Sequence, residues 1–309
     1  MSLKIDLHMH TRVSDGSDAP EEIVPRVRDA GISVFSVTDH DAIKGCQAVQ
    51  GCLQPGDPAF IPGVEFSCRD ALGKYHILGY AYDPESAAIR GVVDLGHSLR
   101  MKKVKARLDF VIREFGFVFP EEEIESLLAL DNPGKPHIGN LMVKYGYAPS
   151  KEVAIRDYID RLHMRSEYVR PEDAIAGILG AGGIPVLAHP FFGSGDQLIV
   201  DDEMEERLRR LMAFGLQGVE AFYSGFSPKL TGEMLALASR YGLYVTAGSD
   251  YHGTNKMVAL GDTGMDEAAP PVPGMERFLN AALGAIHGAP AMATLPLRPD
   301  RHPLTAGPR

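Results

Sequence analysis

Histidines and carboxylates recur in this chain where short apolar, strand-like runs stop. Leu3-Lys4-Ile5-Asp6-Leu7 leads into His8-Met9-His10, Val34-Phe35-Ser36-Val37-Thr38 into Asp39-His40, and Phe60-Ile61-Pro62-Gly63-Val64 into Glu65. Ile184-Pro185-Val186-Leu187-Ala188 runs into His189, and Tyr244-Val245-Thr246-Ala247-Gly248-Ser249 into Asp250-Tyr251-His252. His76 instead opens a run, His76-Ile77-Leu78-Gly79-Tyr80. A parallel β/α barrel collects its strand C-termini at one rim, so ligands scattered along the chain would meet in one pocket. A cluster of His, Asp and Glu of this size reads as a multinuclear metal site for hydrolysis.

Strand and helix signals alternate from the N-terminus, which argues for a parallel sheet. Pro20-Glu21-Glu22 opens the first helix with proline and acids at its positive end. The alternation breaks at 99. A helix is expected over 99–115, with Val104, Leu108, Val111 and Phe115 on one stripe. Further helices follow with no strand signal, then alternation resumes at Pro171-Glu172-Asp173. The expected division is a barrel in two parts, 1–98 and 169–294, with a helical insertion at 99–168. A Pro- and Arg-rich tail at 295–309 is expected to fray.

Three cysteines suit a reduced compartment rather than a disulfide framework. No apolar run reaches membrane-spanning length, and Met1-Ser2-Leu3-Lys4 does not open a signal peptide. A cytoplasmic location is expected, with no membrane and no obligatory protein partner. The formal net charge of −10 argues against general attraction to nucleic acid. No P-loop, dinucleotide fingerprint or Ser-His-Asp order is present.

His8 and His10 lie two apart on a strand and so face one side, with Asp6 behind them. Asp250 and His252 repeat that spacing, and Asp39-His40 and Glu65 supply further ligands. Any one of these pieces alone has an ordinary structural explanation. Their conjunction does not: of 11 histidines, His8, His10, His40, His76, His189 and His252 all fall at these junctions. The mixed imidazole and carboxylate shell suits Zn, Mn or Fe.

These residues resemble the PHP superfamily, named for polymerase and histidinol phosphatase. The matching motifs are Asp6-Leu7-His8-Met9-His10-Thr11 with Ser14-Asp15-Gly16, Thr38-Asp39-His40-Asp41, Ala188-His189-Pro190 and Gly248-Ser249-Asp250-Tyr251-His252-Gly253. Glu65 and His76 match the isolated ligands between the second and third motifs. The resemblance implies an α/β fold, a distorted seven-stranded β/α (TIM-like) barrel holding two or three divalent ions. It implies His8, His10, Glu65 and Asp250 at one metal position, Asp15, His40 and His252 at a second, and Glu65, His76 and His189 at a third. Histidinol phosphatases of the superfamily often carry His where this chain has Asp15, which weakens that reading and shifts metal preference toward Mn or Fe.

The nearest resemblance is to stand-alone members with a helical insertion, through Gly134-Lys135-Pro136-His137-Ile138 and Ala181-Gly182-Gly183-Ile184-Pro185-Val186-Leu187-Ala188-His189-Pro190. It implies a phosphatase removing the 3′-phosphate of nucleoside 3′,5′-bisphosphates. The alternatives are a 5′–3′ exonuclease on short oligonucleotides, a histidinol phosphatase and a non-enzymatic metal-binding module. Asp15, His189 or His252 would place the leaving-group proton. Substrate contacts are expected from Lys135, His137, Arg165 and Arg170. Arg100, Lys103 and Arg107 share a helix face that would meet a second phosphate or simply water. Phe191, Phe192 and Tyr223 would stack on a base or fill core.

Overall fold

The computed structural model describes residues 3–164, 167–192 and 198–286. The expected tail and Arg165 lie outside them. Two sheets form the centre. The first is parallel, with strands β1 (Ile5–Asp6), β2 (Val34–Phe35) and β3 (Ala59–Phe60) in that order. The second runs β4 (Gly63–Asp70), β5 (Gly73–Tyr80), β6 (Ile184–Leu187), β7 (Gly218–Tyr223) and β8 (Tyr244–Gly248). Here β5 is antiparallel to both β4 and β6, while β6, β7 and β8 are parallel.

The α/β fold is as expected, but the described residues form eight strands in two sheets, so the seven-stranded barrel is not confirmed. The run read as one strand over 60–64 is split, because Pro62 has no N–H to give a ladder. The sheets meet at two seams. Leu7 N donates to Ala247 O at 2.8 Å and Met9 bridges Tyr251, joining β1 to β8. His40 bridges Glu65, joining the chain after β2 to β4. Both seams carry metal-ligand candidates.

Helices α1 (Pro20–Asp29) and α2 (Lys44–Cys52) follow β1 and β2. Gly31, at a φ of 69°, ends the first as its left-handed cap. Helix α3 spans Ala87–Phe115, not 99–115. Gly91 and Gly96 mask its first half in the sequence. At Gly96 a Cβ would sit 3.1 Å from the Asp41 side chain, a tight contact that glycine avoids. Ile89, Val92 and Leu99 pack into the main core beneath the five-stranded sheet. Val104, Leu108 and Val111 pack into a second core with residues of α4 (Glu121–Leu128), α5 (Lys135–Lys144) and α6 (Lys151–Asp157). One helix thus belongs to both cores. The chain returns through α7 (Pro171–Gly180), and α8 (Asp201–Ala213), α9 (Pro228–Tyr241) and α10 (Pro273–Ile286) complete the fold. Among the described residues no helix is long and apolar enough to cross a membrane.

The α3–α7 contact gives a stability test. A Cβ on Gly177 of α7 would lie 2.3 Å from Val92 Cγ2. Alanine gains up to about 1 kcal/mol of helix propensity, but overpacking costs about 1–3 kcal/mol. Gly177→Ala should therefore lower the urea midpoint. Gly232→Ala in α9, with nothing near its added methyl, should raise it. Equal shifts of one sign would contradict this packing.

Candidate metal centre

The buried Glu65 carboxylate lies where the expected ligands converge. Its Oε2 is 3.3 Å from His8 Nε2, 3.2 Å from His10 Nε2 and 3.1 Å from His40 Nδ1. Its Oε1 is 2.8 Å from His76 Nδ1 and 3.3 Å from His189 Nε2. Asp250 Oδ1 lies 3.5 Å from His8 Nε2, 3.3 Å from His10 Nε2 and 3.5 Å from His252 Nδ1. Asp15 Oδ1 is 3.2 Å from His252 Nε2, and its Oδ2 is 3.8 Å from His40 Nε2.

Three sets of ligand atoms are close enough to share an ion: His8, His10 and Glu65; His10, Asp15, His40 and His252; and His40, Glu65 and His76. Compared with the expected grouping, His10 also reaches the second set and His40 the third, while Asp250 and His189 fall in none of the three. His189 Nε2 stands 3.2 Å from His76 Nδ1.

The donor set fits a divalent metal. His8 Nε2, His10 Nε2, His40 Nδ1 and Glu65 Oε2 are all buried with no hydrogen-bond partner among the described residues. Four such orphans around one point would be costly without a ligand. The imidazoles and carboxylates of the cluster act strongly on one another's protonation. Burial would raise the Glu65 carboxyl, but the surrounding imidazoles, His40 foremost, hold it well below the usual range. Burial drives His40 down to about 3. Burial opposes charge on His10, yet Asp250 and Glu65 push it up to about 10.

Local structure explains how the ligands get there. His8 and His10 leave the end of β1, His189 the end of β6, and Asp250 and His252 the end of β8. His189 and Asp250 sit at φ of 27° and 58°, left-handed conformations that side chains rarely adopt. Two expectations are corrected. Glu65 does not follow a strand; it is the third residue of β4. His76 does not open one; it lies within β5, whose reversed direction brings its first half to the rim reached by its parallel neighbours' ends.

Asp39 is also reassigned. Its carboxylate accepts from Thr11 N at 2.8 Å, Thr11 Oγ1 at 2.7 Å and Ser14 Oγ at 2.6 Å. It therefore fixes the loop that carries Asp15 instead of offering itself to a metal. Asp6 accepts from Ser249 N at 2.9 Å, Ser249 Oγ at 2.6 Å and Gly261 N at 2.8 Å, tying the ends of β1 and β8 together.

Glu220 was not singled out in the sequence. This fully buried β7 carboxylate faces His8 Nδ1 at 2.9 Å through Oε1 and accepts from His189 N at 2.7 Å through Oε2. An acceptor on Nδ1 leaves His8 Nε2 facing the cluster. A glutamate inside the apolar run Gly218-Val219-Glu220-Ala221 was the available signal.

A cleft of about 500 Å³ opens from the cluster, sharing His76, His189 and Asp250 with it. Lys74, Arg100, Lys103 and Arg107 line one wall with Tyr168, while Lys135 and His137 line the turn at the start of α5. The α3 cations expected to share a face do so, toward the cleft. Arg100 donates to Asp41 Oδ2 at 2.6 Å, and Lys103 Nζ stands 3.8 Å from the Tyr168 ring centre. Lys135 is paired with Asp160. His137 Nδ1 accepts from Gly134 N at 3.1 Å, capping α5. Arg170 pairs with Glu172 and does not line the cleft. Phe191 is core, whereas Phe192 and Tyr223 line the cleft.

A sequence profile for the PHP domain matches residues 6–169. The chain belongs to the PHP domain family. It is a PHP-family phosphoesterase. Among PHP relatives, a 3′,5′-nucleoside bisphosphate phosphatase of Chromobacterium violaceum is 28% identical over 281 residues, 87% of this chain and 93% of that protein. A 5′–3′ exoribonuclease of Haemophilus influenzae is 26% identical over 286 residues, 90% of this chain and 100% of that protein. A solved structure from Bifidobacterium adolescentis superposes with a TM-score of 0.76 at 24% identity, covering 90% of this chain and 96% of its own.

Two measurements probe the centre. Divalent metal at about 100 times its dissociation constant should raise unfolding free energy by about 2.7 kcal/mol. No thermal shift would deny the cluster its metal. Glu220→Gln keeps the shape but weakens the orienting acceptor, and should reduce metal affinity about 10–100-fold. Unchanged affinity would reduce Glu220 to a packing role.

Proposed function

We propose that the protein removes the 3′-phosphate of nucleoside 3′,5′-bisphosphates, giving a 5′-nucleotide and phosphate. The observation that carries this reading is the cationic wall of Lys74, Arg100, Lys103 and Arg107 in the cleft that opens from the metal cluster. A simple monoester would need no second anion site so close to the reacting one. The similarity to the Chromobacterium phosphatase supports the same reading.

In this proposal His8, His10, Asp15, His40, Glu65, His76, His189, Asp250 and His252 hold the metals. Bound divalent ions would supply an activated water and neutralise phosphoryl charge. The chain's own residues do the rest. Arg100, Lys103 and Arg107 bind the second phosphate, and Lys135 and His137 line the turn facing it. Phe192 and Tyr223 also line the cleft. Asp15, His189 and His252 border the position from which the alcohol departs, and one of them places its proton.

Phosphate release by Mn-loaded protein tests the reading against a 5′-phosphorylated trinucleotide and histidinol phosphate. Free phosphate from adenosine 3′,5′-bisphosphate, lost in Asp250→Ala, is the expected result. Mononucleotides from the trinucleotide with little free phosphate would replace this reading with the exonuclease.

Lys103 supplies a pH signature. Burial, reinforced by Arg100, lowers its ammonium to about 8. It is charged below that pH and neutral above it. The kcat/KM for the bisphosphate should therefore fall as pH rises through about 8, and Lys103→Met should lack that limb. A limb that persists in the variant would assign it elsewhere.

A further inference from the structure

Adjoining the cationic cleft, and sharing His76, His189 and Asp250 with it, lies a second pocket of about 310 Å³ whose lining adds the metal-ligand candidates His40, Glu65 and His252 with Asn255 and Lys256. Lys256 is the one lysine or arginine among the residues lining it. The cations of the first cleft do not line this pocket. The turn Gly253–Asn255 delivers Lys256 directly from the end of β8. Asn255 Nδ2 donates to Asp15 O at 2.9 Å and so ties that turn to the loop carrying another ligand candidate.

The Lys256 ammonium is held but not saturated. It donates to Asp250 Oδ2 at 2.5 Å and to the Tyr223 hydroxyl at 3.1 Å. Tyr223 in turn donates to the same Asp250 Oδ2 at 3.0 Å. The two Asp250 oxygens are thereby divided, with Oδ1 toward the histidines and Oδ2 toward Lys256 and Tyr223. An ammonium has three donors, and the third has no partner among the described residues. The side chain remains 34% exposed.

We propose that Lys256 is a catalytic residue whose ammonium binds a non-bridging oxygen of the reacting phosphoryl group while still holding Asp250. Its donors offset charge that builds on the phosphoryl oxygens. This rests on the phosphoesterase chemistry of the site, not on the bisphosphate being the substrate.

The test uses the full chain loaded with Mn and two variants, Lys256→Gln and Lys256→Arg. Three quantities are read: Mn affinity, calorimetric affinity for inorganic phosphate, and kcat for 4-nitrophenyl phosphate, which has no second phosphate. Lys256→Gln should bind Mn like the parent. It should bind phosphate at least about tenfold more weakly and turn over about 100-fold more slowly. Lys256→Arg, which keeps the charge, should recover part of both. Unchanged phosphate binding and turnover in Lys256→Gln would overturn the proposal. So would losses fully explained by weaker Mn binding, which would make Lys256 a positioning residue for Asp250. An arginine variant as deficient as glutamine would also overturn it. A parent protein that cleaves the aryl ester but not the bisphosphate would sink the substrate reading alone. One that neither binds phosphate nor cleaves the aryl ester would sink both.

Discussion

A fully buried carboxylate among five imidazoles is the constraint on which this structure depends. Alone, Glu65 would carry a prohibitive desolvation cost. It is tolerable because histidines from the ends of β1, β2 and β6 and from within β5 surround both its oxygens. Those strands are far apart in sequence and belong to both sheets, so the cluster ties the two sheets together. The positive φ at His189 and Asp250 shows that the backbone bends to serve the cluster.

Around the candidate ligands sits a shell of carboxylates engaged in hydrogen bonds. Asp6 joins β1 to the turn after β8, Asp39 fixes the loop of Asp15, and Glu220 links His8 to the His189 backbone. Each satisfies hydrogen bonds that would otherwise be orphaned in the interior. The ligand positions are thus held before any ion arrives, which limits the ordering that binding must bring about.

Much of the centre was legible because its ligands occur at fixed spacings beside apolar runs. His8 with His10, and Asp250 with His252, needed only the two-residue period of a strand. Glu220 had no partner at such a spacing, and its role appears only when β7 lies between β6 and β8. Asp39 looked like a ligand because proximity to His40 in sequence cannot show which way a carboxylate turns. The hairpin of β4 and β5 was hidden because an apolar run does not disclose strand direction. The start of α3 was hidden because Gly96 reads as a helix breaker when its reason, the nearby Asp41, lies far away in sequence.

Helix α3 has a geometric consequence. Its N-terminal half is anchored in the core under the sheets and its C-terminal half in the core of the helical segment, with Arg100, Lys103 and Arg107 between. Because it is continuous, it works as a caliper, fixing the separation between its cations and the metal cluster. One residue added before Arg100 would turn that cationic face by about 100° and aim it away from the cleft. Insertions beyond Phe115 would leave the spacing untouched. The chain can therefore vary the size of its helical segment freely, but not the length of the arm on which it is mounted.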